Sequence, residues 1–305
     1  MADTALNPSP PPVLPNGASN GAPPPVADDV PVIRLEAKSG WQVIDWKELV
    51  AYRDLFRFLV QRDVTVLYKQ TVLGYAWAII RPLVQMVIFT VIFGNMAEVS
   101  SDGVPYAIFN YVALVPWTYF SGSLTASTAS LVTNMAMLTK VYFPRLVIPM
   151  SSVLAKLVDF AIAFVIVFGL MAYYGVAPTW NVVFLPVLIL LMIMTAAAAG
   201  LWLSALTIQY RDVKHASQFM VQILMYAAPV VWPASLILER FGETAYLVYG
   251  IYPLAGIIEG FRAALLGTRA MPWDLIGIGA VSAMFLFVTG ALYFKRMERR
   301  FADVA

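Results

Sequence analysis

Long apolar runs separated by short polar connections fill the chain from residue 73 to residue 294, whereas the residues before them are polar and charged. The run Leu73–Phe93 carries one charge, Arg81, and at 1.5 Å per residue it reaches about 31 Å, enough to cross a bilayer core of roughly 30 Å. Six uninterrupted runs are predicted to be membrane-spanning helices: Leu73–Met96, Ala107–Val132, Val153–Tyr174, Val182–Ile208, Phe219–Leu238 and Leu275–Phe294. The pattern predicts an all-α polytopic membrane protein with a six-span domain over residues 73–297.

One further apolar stretch, Ala245–Leu266, is interrupted by Pro253, Glu259 and Arg262. A full crossing would bury two charges at roughly 2.5–3.5 kcal/mol each on insertion scales. It would also move the basic C-terminus to the opposite side. We therefore predict a re-entrant helical hairpin between spans five and six, in which Glu259 and Arg262, three residues apart, form an ion pair.

Residues 46–67 show the period of an amphipathic helix. Its apolar positions share one face: Leu49, Tyr52, Leu55, Phe56, Leu59, Val60 and Leu67. Charged residues such as Arg53 and Arg57 lie mostly on the other face, and Asp63 is an exception among the apolar positions. Because a span follows closely, we predict that this helix lies at the membrane interface, within a cytoplasmic segment covering residues 32–72. Packing on a soluble partner is the alternative.

The two ends of the chain differ in composition from the apolar part. Residues 1–31 hold nine of the twenty prolines. Such a segment buries too little apolar surface to offset its ordering entropy, and it is predicted to be a disordered cytoplasmic tail. Residues 298–305 form a short polar C-terminus.

Lysine and arginine are unevenly distributed over the connections. The second connection carries Lys140 and Arg145, and the fourth carries Arg211 and Lys214. In the first connection the only charged residues are acidic, and the third connection has no charged residue. The positive-inside rule therefore places both termini in the cytoplasm.

Composition supports a membrane protein and excludes several function classes. Hydrophobic residues make up 60% of the chain and charged residues 12%, about half of the share usual in soluble domains. The net charge of +2 gives no reason to expect a nucleic-acid partner, and cysteine is absent. No Gly-Lys dipeptide occurs, so the chain has no P-loop for ATP. We predict no catalytic residue, no metal site and no bound cofactor.

Three ionisable residues within the predicted spans each have two interpretations. Arg81 either extends to the inner interface or lines a polar path. Lys156 and Asp159, one helical turn apart, most simply neutralise each other, and contact with a substrate is the alternative.

Aromatic residues make up 13% of the chain and cluster toward the predicted outer ends of the spans. Tyr and Trp are common at lipid interfaces, but their ring faces also suit sugar rings. The predicted substrate conduit comprises Trp117, Tyr119, Phe120, Tyr226, Trp232 and Tyr252.

Four stretches resemble the permease subunits of ABC-type polysaccharide and polyol-phosphate exporters, most closely those that export O-antigen. They are KELVAYRDLFRFLVQRDVTVLYKQTVLGYAWAIIRPLVQMVIFTVIFG (residues 47–94), LTKVYFPRLVIPMSSVLAKLVDF (Leu138–Phe160), YRDVKHASQFMVQILMYAAPVVWP (Tyr210–Pro233) and YPLAGIIEGFRAALLG (Tyr252–Gly267). Capsule and teichoic-acid permeases are near relatives. A secondary transporter would need membrane carboxylates or an inverted repeat, and neither is clear in the sequence. A membrane glycosyltransferase would need a carboxylate cluster or a soluble catalytic domain, which are also absent from the sequence.

The resemblance implies a homodimer in the bacterial inner membrane, joined by two copies of a separate ATPase that binds ATP and Mg. It also implies a channel for a lipid-linked polysaccharide. The residues that it assigns to ATPase coupling are Met135, Lys140, Tyr142, Phe143, Arg145, Arg211 and Asp212. We expect Lys140–Arg145 to form a short amphipathic helix docked on the ATPase. The helix around residues 49–66 matches the interfacial helix near the lipid-head entrance, and Ser235–Leu266 matches the short outer helices.

Overall fold

The structure, a computed structural model, describes residues 50–69, 73–138, 140 and 142–298. The predicted tail over residues 1–31 and the end of the C-terminus, residues 299–305, lie outside these ranges. Every regular element in the described part of the chain is a helix, which confirms the predicted all-α class.

Eleven α-helices are numbered along the described residues. They are α1 Arg53–Tyr68, α2 Trp77–Phe89, α3 Tyr106–Thr133, α4 Met135–Leu138, α5 Val147–Ala155, α6 Leu157–Tyr174, α7 Leu185–Gln209, α8 Val213–Ala227, α9 Ser235–Tyr249, α10 Pro253–Leu265 and α11 Trp273–Glu298. Short 3-10 turns precede α2 at Gly74–Ala76 and α7 at Trp180–Phe184, and a π-helical turn, Thr90–Met96, follows α2.

Four helical stretches in the described residues are long and apolar enough to cross a membrane. They are Gly74–Met96, Val147–Tyr174, Trp180–Gln209 and Trp273–Glu298. These stretches correspond to the first, third, fourth and sixth predicted spans. Length and composition therefore support a multi-pass membrane protein.

The fifth predicted span, Phe219–Leu238, is not one helix. Helix α8 ends at Ala227, α9 begins at Ser235, and Ala228 has an extended backbone. Two prolines, Pro229 and Pro233, lie in the intervening segment, where each lacks an amide donor and disfavours helix at the residue before it. The prediction of an uninterrupted span was wrong at this point.

Helix α3 lies at the centre of the fold. It packs against α7, α5, α6, α10 and α2, and most of its 28 residues are buried. The contact with α7 is close because Gly200 faces Ser127: a Cβ atom at Gly200 would lie 2.5 Å from Oγ of Ser127. A stretch of hydroxyl-bearing residues from Thr118 to Thr133 gives α3 more polar side chains than the four apolar stretches have.

Helix α10 is buried on every side. It packs against α11, α3 and α7. Gly256 permits the contact with α11, since a Cβ atom there would lie 2.7 Å from the backbone of Leu275. At 1.5 Å per residue α10 is about 20 Å long, which is too short to cross a bilayer.

Helix α1 overlaps the predicted amphipathic segment, and its residues differ in exposure. Leu59 is fully buried, Leu55 and Phe56 are half-buried, and Arg53 and Arg57 are exposed. The helix packs against α5. Leu59 joins a second apolar cluster whose other buried members are Leu131, Phe143, Val147, Ile148, Leu201, Ala205, Ile208, Ala291, Phe294 and Met297.

Candidate functional site

Arg262 fills the break between α8 and α9. Its guanidinium donates hydrogen bonds to the carbonyl oxygens of Val230 at 2.9 Å, Phe109 at 3.3 Å and Trp232 at 3.4 Å. Its Cζ atom lies 3.5 Å from the centroid of the Phe109 ring. The carbonyls of Val230 and Trp232 lie in irregular backbone, and that of Phe109 lies in the first turn of α3. For Val230 and Trp232, Arg262 supplies the hydrogen-bond donors that a continuous helix would supply.

Glu259 completes this arrangement. Its Oε1 atom accepts hydrogen bonds from Nη1 of Arg262 and from the backbone N–H of Ala234, both at 2.9 Å. Ala234 directly precedes α9, where backbone amides lack helical partners. The predicted ion pair is thus present in the structure, and it holds both ends of the broken segment.

The first three predicted conduit residues, Trp117, Tyr119 and Phe120, are all buried inside the protomer. The Tyr119 hydroxyl donates to the Val153 carbonyl at 3.2 Å, and its ring meets that of Phe160 edge to face, with centroids 5.8 Å apart. In this conformation these three rings form core contacts and no open surface. For these three residues the conduit role stays a prediction.

The other three, Tyr226, Trp232 and Tyr252, lie together at the end of α8. Tyr226 is 61% exposed, and the other two are half-buried. The indole N–H of Trp232 donates to the Tyr226 carbonyl at 3.3 Å. Tyr249 connects them, since its ring centroid lies 5.7 Å from that of Trp232 and 6.5 Å from that of Tyr252.

These aromatic side chains also close the end of α8. The Tyr249 hydroxyl donates to the Ala227 carbonyl at 2.6 Å, and the Tyr252 hydroxyl donates to the Leu224 carbonyl at 3.3 Å. The Ala227 carbonyl ends the helix and has no helical donor, whereas the Leu224 carbonyl also accepts the backbone N–H of Ala228 at 2.9 Å. Tyr249 was not among the predicted conduit residues. Its position three residues before Tyr252, on the same aromatic stretch, was the signal that could have indicated it.

The predicted coupling segment between α3 and α5 is helical only at Met135–Leu138. Lys140, Tyr142, Phe143 and Arg145 are not helical, so the predicted amphipathic helix over these residues was wrong. Pro144 explains the difference, because it disfavours helix at the preceding residue. Tyr142 is 67% exposed, whereas the adjacent Phe143 is 4% exposed and belongs to the second apolar cluster.

Arg145 connects the coupling segment to the end of α11. Its Nη1 atom donates to the Glu298 carbonyl at 3.0 Å, and its backbone N–H donates to Oε1 of Glu298 at 3.3 Å. The other predicted coupling residues, Arg211 and Asp212, are exposed between α7 and α8. Ile208, three residues before Arg211, packs in the same cluster as Phe143. Both segments therefore adjoin the second apolar cluster.

Asp63, the exception on the apolar face of α1, has partners on α5. Its Oδ2 atom accepts hydrogen bonds from Oγ of Ser151 and of Ser152, each at 3.2 Å. Its Oδ1 atom accepts from Arg62, the shorter bond being 2.7 Å. A carboxylate on this face therefore attaches α1 to the beginning of a membrane-spanning stretch.

The ionisable residues within the spans occupy one region of the fold. Lys156 and Asp159 form an ion pair at 3.0 Å, with side chains 17% and 31% exposed. Arg81 is exposed on α2, and its Cζ atom lies 5.4 Å from the centroid of the Trp77 ring. The predicted mutual neutralisation of Lys156 and Asp159 is present in the structure.

Comparison with known proteins decides the family. The family model described as ABC-2 type transporter matches residues 54–266. The chain belongs to the ABC-2 type transporter family. This match confirms the resemblance seen in the four sequence stretches.

The similarity to individual relatives extends over nearly their whole lengths. The O-antigen export system permease protein RfbA of Myxococcus xanthus is 28% identical over 253 residues, which cover 83% of this chain and 96% of that protein. A protein of the same name from Klebsiella pneumoniae is 26% identical over 255 residues, covering 82% and 95%. The polysialic acid transport protein KpsM of Escherichia coli is 22% identical over 277 residues, covering 86% and 98%.

Proposed function

We propose that this chain is the membrane-spanning permease subunit of an ABC transporter that exports a lipid-linked, O-antigen-like polysaccharide across the bacterial inner membrane. The observation that carries the proposal is the similarity to O-antigen export permeases over 95–96% of their lengths, within a family whose model matches residues 54–266. A capsule exporter is the second candidate. It is supported by the similarity to KpsM, whose identity to this chain is lower than that of the O-antigen permeases.

Energy would come from a separate ATPase subunit. No P-loop sequence occurs in the chain. The segments around Tyr142 and Arg211 expose aromatic and basic side chains next to a shared apolar cluster. This arrangement supports docking of an ATPase on the two segments, and ATP and Mg would be bound by that partner.

The proposed architecture has six crossings. Helix α3, and helix α8 with the irregular segment that follows it, would add two crossings to the four apolar stretches, and α9–α10 would form the re-entrant hairpin. The buried Glu259–Arg262 pair and the short length of α10 support that hairpin. A homodimer is proposed because α2 has only two buried residues, Pro82 and Phe89, and α8 exposes Phe219, Ile223 and Tyr226.

The function is tested by deleting the chain from its own bacterium and analysing surface polysaccharide on gels. Long-chain polymer should disappear from the surface while lipid-linked polymer accumulates inside, and the wild-type chain should restore export. Affinity purification of the tagged chain should bring an ATPase with it. Unchanged surface polysaccharide after deletion would overturn the proposed function, and identification of the lost polymer distinguishes O-antigen from capsule.

A further inference from the structure

Helix α3 has a half-exposed face that is rich in hydroxyl groups. Thr118, Ser121 and Thr125 are spaced three and four residues apart, so they follow one another along this face. Gly122 also lies on this face and is half-buried. Thr128, one turn further along α3 and three residues after Thr125, is fully buried.

Each of these hydroxyl groups already donates its proton within the helix. Oγ1 of Thr118 donates to the Val115 carbonyl at 3.0 Å, and Oγ of Ser121 donates to the Thr118 carbonyl at 3.2 Å. Oγ1 of Thr125 donates to the Ser121 carbonyl at 2.9 Å. The oxygen atoms keep lone pairs that can accept from a donor outside the helix. The face therefore offers acceptors without leaving a donor unsatisfied.

An ion pair lies beside this face. A Cβ atom at Gly122 would lie 3.6 Å from Cδ of Lys156, so the lysine stem runs along α3. Lys156 pairs with Asp159, and both side chains remain partly exposed. Both residues lie within the apolar stretch Val147–Tyr174. Partly exposed charges within a span face water or a polar cavity, because exposure to hydrocarbon is costly.

A contact with a second copy of the chain is the main alternative for a face of small hydroxyl residues, since Ser and Thr are common between membrane helices. A dry contact of that kind would have to desolvate the exposed part of the Lys156–Asp159 pair without a new partner. The ion pair therefore favours a wet surface over a helix contact.

We infer that the Thr118–Ser121–Thr125 face of α3, together with the Lys156–Asp159 pair, is a water-filled part of the conduit wall that accepts hydrogen bonds from the hydroxyl groups of a passing glycan. The glycan as ligand rests on the proposed function; the water-filled face does not. Hydroxyl-to-hydroxyl hydrogen bonds are individually modest in net free energy, which allows a long chain to move past them.

Accessibility to water is tested with single cysteines in this cysteine-free chain. Thr118→Cys, Ser121→Cys and Thr125→Cys in membrane vesicles should react with the anionic reagent methanethiosulfonate ethylsulfonate. Two controls should react at least about tenfold more slowly: Thr128→Cys, at a fully buried position, and Val281→Cys, which is 72% exposed on α11 and is expected to face lipid. Equal rates at Ser121→Cys and Thr128→Cys, or disulfide cross-linking of two copies through Ser121→Cys without reagent labelling, would overturn the inference.

The ion pair provides an independent electrostatic measurement. With Ser121→Cys as the reporter, Lys156→Gln should lower the ratio of the anionic reagent's rate to that of its trimethylammonium analogue several-fold. Asp159→Asn should raise this ratio. An unchanged ratio in both variants, at normal protein levels, would show that the pair does not face the same water as Ser121.

The glycan contact is tested by export. The combined variant Thr118→Val, Ser121→Ala, Thr125→Val should export surface polysaccharide several-fold more slowly at unchanged protein level. Thr128→Val, which removes a hydroxyl of the same bonding type from a fully buried position, should export normally. Wild-type export by the combined variant would overturn the contact and leave the proposed function intact. Failure of the wild-type chain to restore export in the deletion strain would instead count against the proposed function.

Discussion

Oε1 of Glu259 accepts a hydrogen bond from Nη1 of Arg262 at 2.9 Å, and both side chains are buried at the break between α8 and α9. Removing one partner leaves the other charge buried without its counterion, at a cost of about 3–5 kcal/mol. Glu259→Gln and Arg262→Gln should therefore each lower stability strongly. The double substitution should destabilise less than the sum of the two, as measured by thermal unfolding in detergent.

A control for that cycle is the exposed ion pair between Arg53 and Asp54, at 3.8 Å. Their side chains are 72% and 83% exposed, and pairs of this kind contribute about 0–1 kcal/mol. Arg53→Gln should therefore have a small effect. Strictly additive losses in the Glu259–Arg262 cycle would show that the two side chains do not interact in the folded protein.

Tyr142 and Phe143 are adjacent in the coupling segment and differ in burial. Phe143→Ala should destabilise the permease by about 3–5 kcal/mol, because it opens a cavity in the second apolar cluster. Tyr142→Ala should leave folding nearly unchanged, because this side chain is 67% exposed, but it should lower ATP hydrolysis coupled to export. Unfolding and hydrolysis are measured on the same purified complex. Normal coupled hydrolysis in Tyr142→Ala would place the ATPase contact elsewhere.

Asp63 illustrates what the sequence could and could not predict. The helical period of residues 46–67 predicted an amphipathic helix, and α1 covers Arg53–Tyr68. Asp63 had no explanation at that stage, because its partners Ser151 and Ser152 are nearly ninety residues away. Periodicity describes a helix face but not what the face contacts.

The same reasoning explains the aromatic residues. The N-terminal half of α3 is apolar around much of its circumference, so no periodicity distinguished the buried Trp117 and Tyr119 from a channel surface. Pro229 and Pro233 did indicate a bend. The extent of the break depends on Arg262, whose three carbonyl partners lie on other segments. Long-range contacts of this kind are not visible in a single sequence.

The Asp63 contacts give a third prediction. Asp63→Ala should lower stability by about 1.5–3 kcal/mol, the range for hydrogen bonds to charged groups. Asp63→Asn keeps one oxygen acceptor and should recover part of the loss. Ser151→Ala with Ser152→Ala removes the donors instead and should weaken the effect of Asp63→Ala in a double-mutant cycle. Independent effects on thermal unfolding would show that α1 is held to α5 by its apolar face alone.

The orientation of the chain gives a fourth prediction. Cysteines at Ser101 and Ala177 should react with impermeant reagents from outside the cell, whereas a cysteine at Ala216 should react only after permeabilisation. Ala177 is preferable to Thr179, because the Thr179 hydroxyl donates to the carbonyls of Ala263 and Ala264. Outside labelling at Ala216 would contradict the assignment of both termini to the cytoplasm.

The aromatic group at the end of α8 gives the last prediction. A polysaccharide that crosses a bilayer without new hydrogen bonds loses a few kcal/mol for each unsatisfied hydroxyl. Tyr and Trp side chains offer ring faces to the apolar side of a sugar and polar tips to its edge. Tyr226 is exposed, and its neighbours Trp232, Tyr249 and Tyr252 remain partly exposed.

Tyr226→Ala should therefore slow the export of long polymers more than that of short ones, at unchanged protein level. Tyr226→Phe keeps the ring and should retain most of the activity. Trp180→Ala is a matched control, because Trp180 is 94% exposed and lies outside this group. Trp117→Ala should instead lower the protein level, since its ring is buried in the core. Equal export of long polymers by Tyr226→Ala and the wild-type chain would assign Tyr226 to the lipid interface, where an exposed tyrosine needs no sugar contact.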